Sequence, residues 1–147
     1  MIDVRIPFET QCRIATVDML EAFSAEFELG LQVYAGRPRS IALPSAFVDR
    51  MRENIVFSGQ VRQRTVQIDV IVLHGMFDSA DAALQRDAFV DTFVDWASDR
   101  PHAANENTVI EPRSVEDDPN YTPDWQPPEV QRSYYASLIT LEGYAGG

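Results

Sequence analysis

The residues best suited to chemistry lie in the stretch "VLHGMFDSAD", from Val72 to Asp81, where a β-rich run meets His74-Gly75 and then Asp78-Ser79. The string has the form of the turn with which α/β-hydrolases supply an oxyanion-binding N–H after an early strand. That chemistry needs more than the turn. Its serine nucleophile sits in Gly-x-Ser-x-Gly between a strand and a helix, where strained backbone exposes the hydroxyl, and no serine here has that context. It also needs a histidine late in the chain, beyond the acid. The only histidines are His74 and His102, and the turn already uses His74. A chain of 147 residues could, moreover, hardly complete a doubly wound sheet.

Other chemistries fare no better. His74, Asp78 and Asp81 could approach one another around the same turn, but no His-x-x-x-His or paired-cysteine spacing supports a metal site. His74 therefore reads as a surface histidine ending a strand. The chain has no lysine, which excludes both a Gly-x-x-x-x-Gly-Lys phosphate loop and Schiff-base catalysis. Cys12, the single cysteine, can form no internal disulfide and reads as a small buried hydrophobe in a reducing, cytoplasm-like compartment. The expectation is a protein with no catalytic residues, no cofactor and no metal, and not an enzyme.

Charge narrows the partners. There are 23 acidic against 12 basic residues, all arginine, for a formal net charge of −11. Proteins that grip nucleic acid neutralise phosphates with clustered cations, so a chain this acidic disfavours that role while allowing acidic walls past which DNA slides. Arginine's planar fork suits ion pairs with carboxylates within or between subunits. No segment approaches the ~20 apolar residues of a membrane span, and the start "MIDVRIPFET" lacks a basic stretch followed by an apolar one.

The elements follow from periodicity. Apolar residues at Ile14, Val17, Met19, Leu20, Phe23 and Phe27 predict a helix over about 10–27, stopped by Gly30. "LQVY" is a short strand, "AGRPRSIALP" a loop, and "SAFVDRMRENIVFS" a strand interrupted near Arg52 to Asn54. From Gln60 to His74, Val66, Ile68, Val70 and Val72 alternate at period 2, which gives a long strand pairing with its predecessor across Ser58-Gly59. Arg62 and Arg64 share a face near its start. Asp78 or Ser79 caps a second helix that runs until Pro101. Phe89, Val90, Phe93, Val94, Trp96 and Ala97 form its apolar stripe, and Asp87, Asp91, Asp95 and Asp99 stack at i, i+4 on another side. That ladder is either a solvated face or a surface that meets another subunit's arginines or lines a channel.

Five of the nine prolines fall between Pro112 and Pro128, so the region from about 111 to 132 reads as an extended acidic loop after a short β-like run at Thr108 to Ile110 that reaches toward Val115. Tyr121 and Trp125 within it either pin the loop to its own domain or anchor a neighbouring chain. "SYYASLITLEGY" is a last strand with both faces apolar or aromatic, which sits inside the sheet or is covered on both sides. "AGG" closes the chain as a flexible tail. The whole predicts one α+β domain over 1–147: a mixed or antiparallel sheet with a long β-hairpin, packed by two helices, in the order α-β-β-β-α-β-β.

In "GRPRSIALPSAFVDR", in "TVQIDVIVLHGMFDSADAALQRDAFVDTFVDW" and in the closing "YYASLITLEGY", and in the order and size of its elements from about Thr10 to Tyr144, the chain resembles the tail terminator proteins of long-tailed, non-contractile bacteriophages. "VEDDPNY" and "EGYAGG" resemble versions from phages of actinobacteria. The resemblance implies a virion protein, assembled in the host cytoplasm and located at the head-proximal end of the tail. It implies a homo-oligomer, a ring of six copies that caps the tube, stops the major tail tube protein from adding further, and offers a docking face to the connector, or neck, proteins below the head. Viral DNA would pass through the lumen without specific binding. Heterologous contacts closing into a ring suit such a part. Arg62, Arg64, Asp87, Asp91, Asp95, Tyr121 and Trp125 are the candidate subunit-interface or lumen residues. The alternatives are a head-to-tail connector or head-completion protein, and a small enzyme or ligand-binding α+β domain.

Overall fold

The computed structural model describes residues 6–99, 102–105 and 108–145, with side chains throughout except in 102–105. Two helices, α1 (Phe8–Glu26) and α2 (Ala80–Ser98), pack on one face of a six-stranded mixed sheet. The strands are β1 (Gln32–Tyr34), β2 (Ser45–Ser58), β3 (Val61–Met76), β4 (His102–Asn105), β5 (Thr108–Tyr121) and β6 (Tyr134–Ala145), in the spatial order β1-β2-β3-β6-β5-β4. Only β1 and β2 pair in parallel; every other neighbour is antiparallel. The protein is thus the expected α+β fold, with the short strand β4 added between α2 and β5. The His102 side chain, Pro101 and the terminal Gly146-Gly147 lie outside the described residues.

Each element follows from its residues. In β3, Val66, Ile68, Val70 and Val72 face the helices and join Ile139 and Leu141 of β6 in the main core. Two residues further on, His74 holds the same face; it is buried at 4% exposure and not the surface residue its polarity suggested. Helix α1 is stopped before Gly30. Glu28 takes a left-handed φ of 53°, and the Leu29 N–H reaches back to the Ser24 carbonyl at 2.9 Å, a Schellman closure with glutamate in the position glycine usually fills. Ser79 precedes α2 in extended conformation, without a side-chain capping bond.

Two expectations need correction. Strand β2 is not broken at Arg52 to Asn54; it runs through them, and its one irregularity is a bulge between Val48 and Arg50. The region expected as a loop over 111–132 is strand as far as Tyr121, paired with β6 from end to end. Pro112 and Pro119 are tolerated because β5 is an edge strand over most of its length, and both sit at register shifts, between Pro112 and Ser114 and between Asp118 and Tyr121. Only the residues after Tyr121 form the connection to β6, with a single 3-10 turn at Pro128–Val130.

The second sheet face is half covered. Phe47, Ile71, Leu73, Tyr134 and Ala136 form a smaller core there, packed by Tyr34 and Tyr121 at the ends of β1 and β5 and by Ile41 and Trp125 from the two connecting loops. Trp125 meets the Phe47 ring edge-on at 5.7 Å and lies under the Arg37 guanidinium at 5.9 Å.

Gly143 marks the tightest approach in the main core. A Cβ there would lie 2.7 Å from Cys12 Sγ and 3.0 Å from Ile110 Cδ1. Burial, and secondarily the Glu53 charge, pushes the Cys12 thiol up to about 12, so it stays protonated and inert. Gly143→Ala is expected to destabilise by about 1–3 kcal/mol through overpacking, and Cys12→Ala in the same chain to restore part of that. Melting curves of the wild type, both single variants and the double variant check it; a Gly143→Ala protein that melts like the wild type refutes the close approach.

Candidate functional site

Among the described residues, His74 and Ser137 bring an imidazole base and a hydroxyl together, their Nε2 and Oγ sharing a 2.8 Å hydrogen bond. Phe89 packs on the imidazole at 5.2 Å. Burial, helped by the nearby Arg86 charge and opposed by Asp117, lowers the His74 pKa to about 4. The ring is therefore neutral at pH 7, as a base requires. Ser137, however, is 0% exposed on a central strand, and a nucleophile has to be reached by its substrate. The pair is arranged as a satisfied core hydrogen bond. Asp78 and Asp81 are both exposed while His74 is buried, and among the described residues no group of three or more His, Cys, Asp or Glu could hold a metal ion.

The geometry at the residues expected to serve assembly is more informative. Among the described residues, β3 pairs with β6 only as far as Thr65, so Val61–Arg64 and the facing residues Ile55–Ser58 form a two-stranded ribbon. Four residues beyond the sheet project roughly 13 Å at the strand rise. Gly59, at φ +62°, takes the first central position of the two-residue turn, which suits a type II′ hairpin. Around that turn Phe57 is 72% exposed and Val61 60%, with Ile55 and Val56 also open to solvent. Isolated hairpins are marginal in water, and a monomer gains nothing from such a tip. These four residues were not singled out from the sequence. The signal was present in "NIVFSGQV", where apolar residues occupy both faces of the hairpin.

Arg62 and Arg64 lie on the helix-facing side of this ribbon, opposite Phe57 and Ile55. Arg64 donates from Nε to Glu53 Oε1 at 2.8 Å and stacks over the Phe8 ring at 5.4 Å, so it braces the ribbon against the start of α1. Arg62 is exposed. Asp87, Asp91, Asp95 and Asp99 are all exposed along α2; Asp87 pairs with Arg86, which also binds Asp117 at 3.1 Å and ties the helix to β5. Both arginines and the ladder are thus on the surface but in different places, and the subunit does not join them. Tyr121 and Trp125 are taken up by their own domain's second core.

Beside the ladder, Val90, Phe93, Val94 and Ala97 of α2 and Pro112, Ser114 and Val115 of β5 line an open groove of about 510 Å³. Both sheet edges are also largely open: among the described residues β1 covers only Ser45–Phe47 of β2, and β4 only Thr108–Ile110 of β5. Free strand edges and exposed apolar tips are the features through which chains join. Among the described residues no helix is long and apolar enough to cross a membrane.

Neither a protein-family model nor a curated protein sequence matches this chain.

Proposed function

We propose that this chain is a structural virion protein, a tail terminator whose copies form a ring that caps the tail tube, ends its polymerisation and presents a docking face to the head-side connector. The observation that carries the reading is the projecting hairpin, with Phe57 and Val61 held in solvent at the end of a well-packed sheet. Such a tip suits a partner at fixed distance and direction, as neighbours in a closed heterologous ring are. Support also comes from the second sheet face, whose uncovered half carries the charged residues Arg50, Arg52, Asp69, Glu111, Arg113 and Glu142, with Arg113 paired to Glu111 and Glu142. With an overall charge of −11 the assembled ring would let DNA pass without gripping it. No catalytic role is assigned to any residue.

Native mass measurement and class-averaged images of the purified protein test this. The expected result is a closed ring, of six chains if the resemblance extends to stoichiometry. A protein that remains monomeric at all concentrations contradicts it.

A further inference from the structure

Among the described residues, the exposed hairpin tip and the α2–β5 groove are two apolar features open to solvent, and they match each other. The tip offers Phe57 and Val61 at its end with the cation Arg62 beside them. The groove offers a floor of Phe93 and Ala97, a helical wall of Val90 and Val94, and a strand wall of Pro112 and Val115, with Glu111 and Arg113 also in its lining and Arg113 paired to Glu111 and Glu142. Val94 is 44% exposed at its lip. Asp91 and Asp87 stand one and two turns before Val94 on the same helix; Asp87 is paired with Arg86, and Asp91 brings exposed negative charge near that lip. An apolar knob with a positive shoulder thus fits an apolar groove with a negative rim.

The tip cannot fill its own groove. The ribbon continues β2 and β3 out past the end of the sheet, while the groove lies along β5 at the other side of β6. Folding back would break the β2–β3 ladder. A separate chain must supply the knob, and in so acidic a protein the basic, apolar tip is the piece of matching chemistry. Resting on the ring reading above, we propose that the occupant is the hairpin of a second copy: Phe57 and Val61 of one subunit seat between α2 and β5 of the next, and Arg62 faces Asp91 there. The contact joins different patches on the two copies, so it propagates head to tail and closes when the rotation permits.

The test uses the full chain and two variants, Phe57→Asp in the tip and Val94→Asp in the groove lip. Both residues are well exposed, so circular dichroism and melting should match the wild type; Val61→Asp is a second tip variant should Phe57→Asp misbehave. Each variant alone should shift assembly to concentrations about 30-fold higher or more, as the loss of a buried aromatic anchor does. Mixed in equal amounts, they should give one-to-one heterodimers and nothing larger, because one intact tip then meets one intact groove. Variants that assemble like the wild type overturn the docking mode and leave the ring standing. A mixture that stays monomeric also overturns it, because tip and groove then do not meet. A monomeric wild type overturns the ring reading and the docking together.

Discussion

Phe23→Ala is expected to destabilise the protein by about 3–5 kcal/mol, a large share of the roughly 5–15 kcal/mol that holds a domain of this size. Phe23 is 0% exposed and is the ring on which the two helices meet. It stands edge-on to Phe89 at 5.4 Å and to Phe93 at 5.3 Å, and inclined to Trp96 at 5.1 Å and to Phe27 at 5.2 Å. Edge-to-face pairs gain from the opposed quadrupoles in addition to the burial of apolar area. Truncation removes these contacts together and leaves a cavity that stacked Phe89 and Phe93 cannot both move to fill. Since α2 carries the aspartate ladder and one wall of the groove, loosening it should weaken assembly as well. Urea unfolding measures the effect, with Phe27→Ala as the comparator: Phe27 is 40% exposed and its loss should cost much less. Equal costs at the two positions would show that Phe23 is not the keystone described.

Acidification should expose the second large effect. His74 is neutral in the fold down to about pH 4, against an ordinary value of 6.5. Above pH 6.5 the imidazole is neutral in both folded and unfolded chains, and this residue adds no pH dependence. Between 6.5 and about 4 the unfolded chain takes up a proton that the folded one refuses, so stability falls with pH, by about 3 kcal/mol across the window. Below about 4 both states are protonated and the contribution stops changing. His74→Gln keeps a polar group near Ser137 and removes the titration. The difference in unfolding free energy between wild type and variant, measured by denaturant at pH 7.5 and at pH 4.5, should therefore shrink by most of that amount; a difference independent of pH would refute the buried neutral histidine.

The main elements were legible because burial wrote them as period. Val66 to Val72 give β3 and its helix-facing side, and the alternation in "SYYASLITLEGY" gives the two faces of β6, with Ser137, Ile139 and Leu141 toward the helices and Ala136 and Leu138 toward a second face that is covered only along its first half. His74 continues the β3 alternation by one more step, and its chemical type masked the pattern. β5 was hidden for a different reason. An edge strand can carry proline and carboxylates because half its backbone groups need no partner strand, so the punctuation that marks loops elsewhere is compatible with a strand there. The β2 bulge shifts the outward positions by one, which made Arg50, Arg52 and Asn54 look like a break. Of the candidate assembly residues, the arginines and the ladder are exposed as their charge implied, and Tyr121 and Trp125 serve their own core; the hairpin tip carries no such charge signal, because Ile55, Val56, Phe57 and Val61 are residue types that any core strand contains and only the end of the sheet short of them leaves them exposed.

The central claim, a ring that ends tail-tube growth, is tested most directly by adding the purified protein in substoichiometric amounts to polymerising tail tube protein and measuring tube lengths by electron microscopy. The account predicts that growth stops, with one ring seated at the end of each arrested tube. Tubes that elongate as they do without the protein, while it binds only the head-side portal, would contradict it and make the chain a connector instead.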